Sequence, residues 1–189
     1  MKGIKNLTVR ALCEGAIMLA MALILSLINL VPSAWNFGGS VTLEMLPIIV
    51  FCIRWGFGPG LLVSFAFGLL QLFLDVAYSA GWQSIIGDYL LAFAAMGFAG
   101  LFKGKKNGFY WGALLGTFLR FLVHYVTGAT LWAEYMPDEF FGMTMTSPWI
   151  YSALYNGSFL LLSLILMLVV VAILQKPLGK YLRGEDLKK

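Results

Sequence analysis

Apolar residues in this chain form long blocks separated by short polar links. A membrane-spanning helix needs about 20 mostly apolar residues, with a range of roughly 17–25. All but one of the blocks approach or exceed that length, and the second, Val41 to Ile53, is short for a span. The pattern predicts six helices, over residues 10–31, 41–54, 57–75, 84–102, 108–132 and 149–175. Since no linker interrupts them, we expect residues 1–189 to form a single membrane domain.

Composition supports a membrane location. Hydrophobic residues make up 60% of the chain and charged residues 12%, whereas a soluble domain is about half apolar and a quarter charged. The first block follows basic residues, as a signal peptide does. Its apolar stretch is longer than the roughly 7–15 residues of a signal core, so we expect it to be retained as the first helix.

Basic residues predict the orientation of the helices. All lysines and arginines except Arg120 lie in links or termini on one side of a six-helix arrangement. Because basic loops stay in the cytoplasm, both termini are predicted to be cytoplasmic. The net charge of +4 is therefore read as a topology signal, and no nucleic-acid partner is expected.

Motifs for catalysis and metal binding are absent from the sequence. There is no glycine-rich loop ending in Gly-Lys-Ser/Thr, no His-Glu-x-x-His and no Gly-x-Ser-x-Gly. A lone histidine does not build a typical histidine metal site. Cys13 and Cys52 have no metal-ligand spacing and are read as packing residues. We therefore expect neither an enzyme nor a metal or cofactor.

Polar side chains at membrane depth are the functional candidates, because they are costly in lipid. They are Glu44, Asp88, Arg120, His124 and Asn156. Arg120 and His124 are four residues apart and share a helix face. Structural alternatives remain open: Arg120 pairs with a carboxylate to lock the bundle, His124 is a satisfied interhelical residue, and the carboxylates face interfacial water.

The same candidates indicate a ligand class. With Trp132 and Tyr151 near the same end, they offer two carboxylates, an imidazole, an amide and aromatic rings. Tyr151 could equally belong to an interfacial aromatic belt. Carboxylates and aromatic faces both attract a cation, so this set suits a small, flat, cationic, nitrogen-rich ligand.

Several segments carry a family resemblance. They are Gly38-Gly-Ser-Val-Thr-Leu-Glu-Met-Leu-Pro-Ile-Ile49, Arg54-Trp-Gly, residues 88–100, Leu119-Arg-Phe-Leu-Val-His-Tyr-Val-Thr-Gly128 and Trp149-Ile-Tyr-Ser-Ala-Leu-Tyr-Asn-Gly157. Together they cover helices 2, 4, 5 and 6. In these segments, and in length and layout, the chain resembles the thiamine-specific S-components of energy-coupling-factor (ECF) transporters.

The resemblance implies a six-helix S-component fold and thiamine bound near the external surface. The implied ligand-binding residues are Asp88, His124, Trp132, Tyr151, Asn156, Glu44, Tyr89, Trp35, Tyr78 and Arg120. Those expected at the aminopyrimidine end are Asp88, His124, Tyr151 and Asn156, while Glu44, Trp35 and Tyr89 are expected around the thiazolium. Trp132 is expected to stack on a ring. Some relatives carry glutamate at the Asp88 position and tryptophan at the Phe67 position.

Partners also follow from the resemblance. It implies docking through Ala16 and Ala20 to a transmembrane coupling subunit, which works with two ATPase subunits in the cell membrane of a Gram-positive bacterium. Alternatives are an S-component for hydroxymethylpyrimidine or riboflavin, and a stand-alone proton-coupled carrier using Asp88 and His124. An intramembrane enzyme is a further alternative, although no nucleophile–base pair is found.

Overall fold

The computed structural model of the chain describes residues 9–31, 39–75 and 79–187. These residues form six main helices. They are α1 (Val9–Ser26), α2 (Met45–Trp55), α3 (Phe57–Asp75), α4 (Trp82–Phe102), α5 (Gly108–Thr130) and α6 (Pro148–Leu182). Short 3₁₀ turns cover Ala133–Tyr135 and Glu185–Leu187. A two-stranded antiparallel hairpin pairs β1 (Glu139–Phe140) with β2 (Met143–Thr144).

Helix length and composition agree with a membrane protein. By these criteria α1, α3, α4 and α6 can each cross a membrane, and α2 is a shorter apolar helix. The number of spans and the cytoplasmic position of both termini stay predictions.

Helix ends differ from the predicted ranges where polar groups intervene. Helix α1 ends at Ser26 instead of residue 31, because the chain then turns and the Leu30 N–H donates to the Val41 carbonyl over 2.9 Å. Helix α6 runs to Leu182 instead of residue 175 and contains Pro177. Hydropathy falls there although the backbone stays helical.

Helix α2 lies at the centre of the bundle. Its residues Ile48, Ile49, Phe51 and Cys52 are almost fully buried, and the helix contacts α1, α3, α4, α5 and α6. A helix covered by protein on all sides is apolar around its whole circumference. This central position explains why so short an apolar block forms a helix here.

Close packing of α3 against α4 depends on glycine. A Cβ atom at Gly97 would lie 2.5 Å from the Leu61 Cα, and one at Gly68 would collide with the Tyr89 carbonyl. Small residues allow such helix backbones to approach closely. The contact at Gly68 positions the segment of α4 that carries Asp88 and Tyr89.

An ion-pair network closes the end of the bundle at which α2 finishes. Arg54, with no exposed side chain, bonds Glu14 of α1 through Nη2 over 3.0 Å and Asp186 through Nη1 over 2.8 Å. It also donates to the Tyr181 carbonyl and lies over the Tyr181 ring. Arg54 therefore joins the C-terminal segment to α1 and α2.

Candidate ligand-binding site

A cavity of about 770 Å³ opens between the helices at the end of the bundle opposite Arg54. All six helices contribute to its wall. Predicted site residues that line it are Glu44, Asp88, Tyr89, Arg120, His124, Trp132, Tyr151 and Asn156. Trp35 and Tyr78 lie outside the described residues. The volume falls in the range of roughly 300–1,000 Å³ that small-molecule sites occupy.

Asp88 is held by four protein groups. Its Oδ1 lies 3.0 Å from His124 Nδ1 and accepts a hydrogen bond from the Thr127 hydroxyl. Its Oδ2 accepts from the Ser84 hydroxyl at 2.7 Å and from the Trp132 indole N–H at 2.9 Å. Hydrogen bonds to an ionised carboxylate are stronger than neutral ones. The four donors therefore stabilise Asp88 as a carboxylate in a largely buried position.

The segment of α4 that carries Asp88 is a π-helix, Ile85–Leu91. The Ala92 N–H donates to the Gly87 carbonyl, five residues back. Such segments are uncommon and often mark functional positions in helices. No hydropathy pattern distinguishes this segment from an ordinary helical turn.

His124 links two charged groups. Its Nε2 lies 3.4 Å from Arg120 Nε, which can only donate, while Nδ1 faces the Asp88 carboxylate, which accepts. We therefore assign the proton to Nδ1 and the acceptor role to Nε2, in a neutral imidazole. The ring also contacts Phe159, with centroids 6.5 Å apart.

Arg120 and Glu44 form a buried ion pair. Arg120 Nη1 lies 2.7 Å from Glu44 Oε1, and the two side chains are only 7% and 9% exposed. The guanidinium lies 4.1 Å from the centre of the Phe93 ring. Arg120 therefore pairs with a carboxylate and links α5 to the start of α2, which was the structural alternative considered for it. It also lines the cavity.

The network continues from Glu44 to α3 and α1. Gln71 Nε2 donates to Glu44 Oε2 over 3.3 Å, and the Ser26 hydroxyl donates to Gln71 Oε1 over 3.2 Å. Hydrogen-bonded polar side chains therefore form a continuous path across the cavity wall, in the order Ser26, Gln71, Glu44, Arg120, His124 and Asp88. Buried polar groups are tolerated when each is hydrogen-bonded.

Aromatic rings cover another part of the wall. Tyr151 and Tyr155 lie 5.6 Å apart between ring centres, and Phe140 of the hairpin contacts both. The Tyr155 hydroxyl accepts a hydrogen bond from the Gly39 N–H at 2.9 Å. Tyr155 therefore attaches the end of the α1–α2 link to α6.

Asn156 presents an amide oxygen to the cavity. Its Nδ2 donates to the carbonyls of His124 and Ser152, at 3.2 and 3.1 Å. Among the described residues, no hydrogen bond engages its Oδ1. Gly128 leaves space for this arrangement, since a Cβ there would lie 3.0 Å from Asn156 Nδ2 and would collide with the Ser152 hydroxyl.

Several wall residues were not among the predicted site residues. Ser26, Gln71, Asp75 and Tyr155 all line the cavity. Ser26 and Gln71 are polar side chains near the ends of two apolar blocks, which is a usable signal. Asp75 was predicted as the end of the third helix, where it is observed, but not as a site residue.

The charges of the described wall do not cancel. Its formally charged groups are three carboxylates, Glu44, Asp75 and Asp88, and the guanidinium of Arg120. With His124 neutral, three negative charges and one positive charge leave the wall with a formal charge of −2. The site therefore favours a cation.

Ala16 and Ala20 lie away from the cavity. Both are exposed on α1, four residues apart on one face. Their role in docking stays a prediction.

An all-α bundle of apolar helices with a polar and aromatic cavity is typical of membrane proteins that bind a small molecule. The family model described as "Thiamine transporter protein" (Thia_YuaJ) matches residues 12–182. The chain belongs to this family of thiamine transporter proteins.

Individual relatives agree with this assignment. The thiamine transporter ThiT of Bacillus subtilis is 30% identical over 187 residues, covering 92% of this chain and 94% of the relative. ThiT of Lacticaseibacillus paracasei is 30% identical over 149 residues, covering 69% and 70%. A solved structure of ThiT from Listeria monocytogenes has a TM-score of 0.79 and 27% identity, covering 94% of this chain and 99% of that one.

These similarities confirm the family and the all-α membrane fold that the sequence predicted. The chain is a multi-pass cell membrane protein, and its relatives come from Gram-positive bacteria. The family consists of transporters, which agrees with the expectation that this chain is not an enzyme.

Proposed function

We propose that this chain is the thiamine-binding S-component of an ECF importer and holds thiamine in the cavity beneath the α1–α2 link. The observation that carries the proposal is the composition of the cavity wall. A formal charge of −2 lies beside the rings of Phe93, Trp132, Tyr151 and Tyr155. Thiamine combines a cationic thiazolium with a flat aminopyrimidine, and both features fit such a wall.

The proposal includes the ligand contacts that the family resemblance implies. Asp88, His124, Tyr151 and Asn156 would bind the aminopyrimidine, and the unengaged Asn156 Oδ1 would accept a hydrogen bond from its amino group. The Trp132 N–H already donates to Asp88, which holds the indole in place for stacking. Glu44, Tyr89 and Trp35 would surround the thiazolium end, with Tyr78 and Arg120 completing the set.

The position of the cavity supports capture from outside the cell. It lies at the end of the bundle opposite Arg54, Lys103 and the other basic residues of the links. If the basic end faces the cytoplasm, the cavity faces the exterior.

Partner subunits would supply the energy. No nucleotide-binding motif occurs in the sequence, so ATP hydrolysis must come from separate ATPase subunits acting through a coupling subunit. The exposed Ala16 and Ala20 on α1 offer small residues for close helix packing against that coupling subunit.

Thiamine titration of the purified protein in detergent tests the binding proposal. We expect a saturable change in tryptophan fluorescence, matched by isothermal titration calorimetry. The variants Asp88→Asn and His124→Ala should weaken binding strongly. Asp138→Asn, at an exposed position outside the cavity wall, is the matched control. Absence of binding to folded wild-type protein would refute the thiamine assignment.

Competition and uptake separate the alternatives. Hydroxymethylpyrimidine or riboflavin displacing thiamine at lower concentration would favour a different S-component. In proteoliposomes we expect thiamine accumulation only with the coupling and ATPase subunits and ATP. Accumulation by this chain alone, abolished by a protonophore, would instead support a proton-coupled carrier.

A further inference from the structure

Asp75 is a cavity carboxylate whose side chain has no hydrogen-bonding partner among the described residues. It ends α3, lines the cavity and is partly buried. Only its backbone carbonyl is engaged, by the Tyr89 hydroxyl at 2.8 Å. No hydrogen bond or ion pair involves the Asp75 side chain among the residues that the structure describes.

The other two wall carboxylates have hydrogen-bonding partners. Glu44 pairs with Arg120 and accepts from Gln71, and Asp88 accepts from four donors. The Asp75 side chain has no such contact with any residue that the structure describes. Because Arg120 neutralises Glu44 and the donors to Asp88 are neutral, the formal charge of −2 is carried by Asp88 and Asp75.

We propose that Asp75 makes the cavity selective for the unphosphorylated, cationic ligand and disfavours its phosphate esters. This inference rests on the proposed function, because it assumes that thiamine occupies the cavity. An uncompensated carboxylate attracts the thiazolium cation. It repels a phosphate monoester, which carries about −1.5 to −2 charges near pH 7.

The burial of Asp75 makes this effect significant. In bulk water, opposite charges in contact attract each other only weakly, and the attraction grows as the effective dielectric constant falls near protein. Asp75 is partly withdrawn from solvent, and the cavity wall excludes bulk water on one side. The electrostatic interaction between Asp75 and a ligand in the cavity should therefore be stronger than that of an exposed carboxylate.

The test compares two ligands on matched variants. Dissociation constants for thiamine and thiamine monophosphate are measured by calorimetry on the wild-type protein, Asp75→Asn and Asp75→Glu. Asp75→Asn removes the charge at nearly constant shape, Asp75→Glu keeps it, and Asp138→Asn removes an exposed charge outside the wall. The selectivity ratio is the dissociation constant for the monophosphate divided by that for thiamine.

We expect Asp75→Asn to lower the selectivity ratio about tenfold, through weaker thiamine binding and tighter monophosphate binding. Asp75→Glu and Asp138→Asn should stay within about twofold of the wild-type ratio. High salt should lower the wild-type ratio more than the Asp75→Asn ratio, since screening weakens charge effects. Should Asp75→Asn fold poorly, Asp75→Ser also removes the charge and replaces it in both comparisons.

Other outcomes overturn the inference. If Asp75→Asn weakened the binding of both ligands equally, Asp75 would have a structural role. An unchanged selectivity ratio would show that its charge does not affect the choice of ligand. If the wild-type protein binds thiamine but its ratio is insensitive to salt and to both substitutions, only this inference fails. If wild-type protein binds neither ligand, the proposed function fails with it.

Discussion

His124 Nδ1 lies 3.0 Å from Asp88 Oδ1, and this contact joins α5 to the π-helical segment of α4. Because Arg120 Nε donates toward the opposite ring nitrogen, the histidine connects a carboxylate to a guanidinium. The pair therefore belongs to a network that also determines the shape of the cavity wall.

Asp88 and His124 should act as a unit in ligand binding. Asp88→Asn removes the negative charge to which four groups donate. Hydrogen bonds to a charged group contribute roughly 1.5–3 kcal/mol, so thiamine affinity should fall about 10- to 100-fold. The double variant with His124→Ala should lose less than the sum of the two single changes. Calorimetry on the three variants measures the coupling, and simple additivity would contradict it.

The buried Arg120–Glu44 pair should be costly to break on one side. Arg120→Met leaves Glu44 buried beside Gln71 alone, and removing one partner of a buried pair costs about 3–5 kcal/mol. We expect a large drop in the thermal unfolding midpoint in detergent. The double variant Arg120→Met with Glu44→Leu should recover part of it, because no uncompensated charge remains. A double variant less stable than Arg120→Met would disprove this account.

Hydropathy predicted the helices and several residues of the cavity wall, for a common physical reason. In lipid a polar side chain is costly, so Glu44, Asp88, Arg120 and His124 stood out within apolar blocks and all line the cavity. Asp75 was missed because a carboxylate at a helix end is equally consistent with a solvated link. The donors to Asp88 from Ser84 and Thr127 were missed because hydroxyls occur throughout apolar helices.

Backbone geometry was not visible in the sequence. The π-helical segment at Ile85–Leu91 has the composition of an ordinary apolar helix. The sequence analysis placed Arg54 in a link between helices, and in the structure its side chain is fully buried against Glu14 and Asp186. The partners that make this burial possible lie 40 and 132 residues away, so periodicity along the chain does not reveal them.

Gly128 should be intolerant of even one methyl group. In Gly128→Ala the new Cβ would displace Ser152 and Asn156, and overpacking of this kind costs about 1–3 kcal/mol. We expect weaker thiamine binding together with a lower unfolding midpoint. Gly157→Ala is the matched control, because a Cβ there would lie 3.6 Å from the Phe121 ring, an ordinary contact. Equal behaviour of the two variants would contradict the role of Gly128.

Arg54 should contribute to stability without contributing to affinity. Its network lies at the opposite end of the bundle from the cavity. Arg54→Gln leaves Glu14 and Asp186 without their shared partner, so we expect loss of about 3 kcal/mol or more of stability with an unchanged dissociation constant for thiamine. Arg54→Lys should be intermediate, because an ammonium lacks the guanidinium fork. Reduced affinity in a folded Arg54 variant would show that the two ends communicate.

Tyr155 should control how long the ligand stays bound. Its hydroxyl accepts from the Gly39 N–H at 2.9 Å, and this bond attaches the α1–α2 link beside the cavity. Tyr155→Phe keeps the ring and removes the acceptor, at a net cost of about 1 kcal/mol. If the link must open for release, thiamine dissociation should accelerate about fivefold while association changes little. Stopped-flow fluorescence measures both rates, with Tyr110→Phe at the far end of α5 as control. An unchanged dissociation rate in Tyr155→Phe would mean that this hydrogen bond does not restrain release.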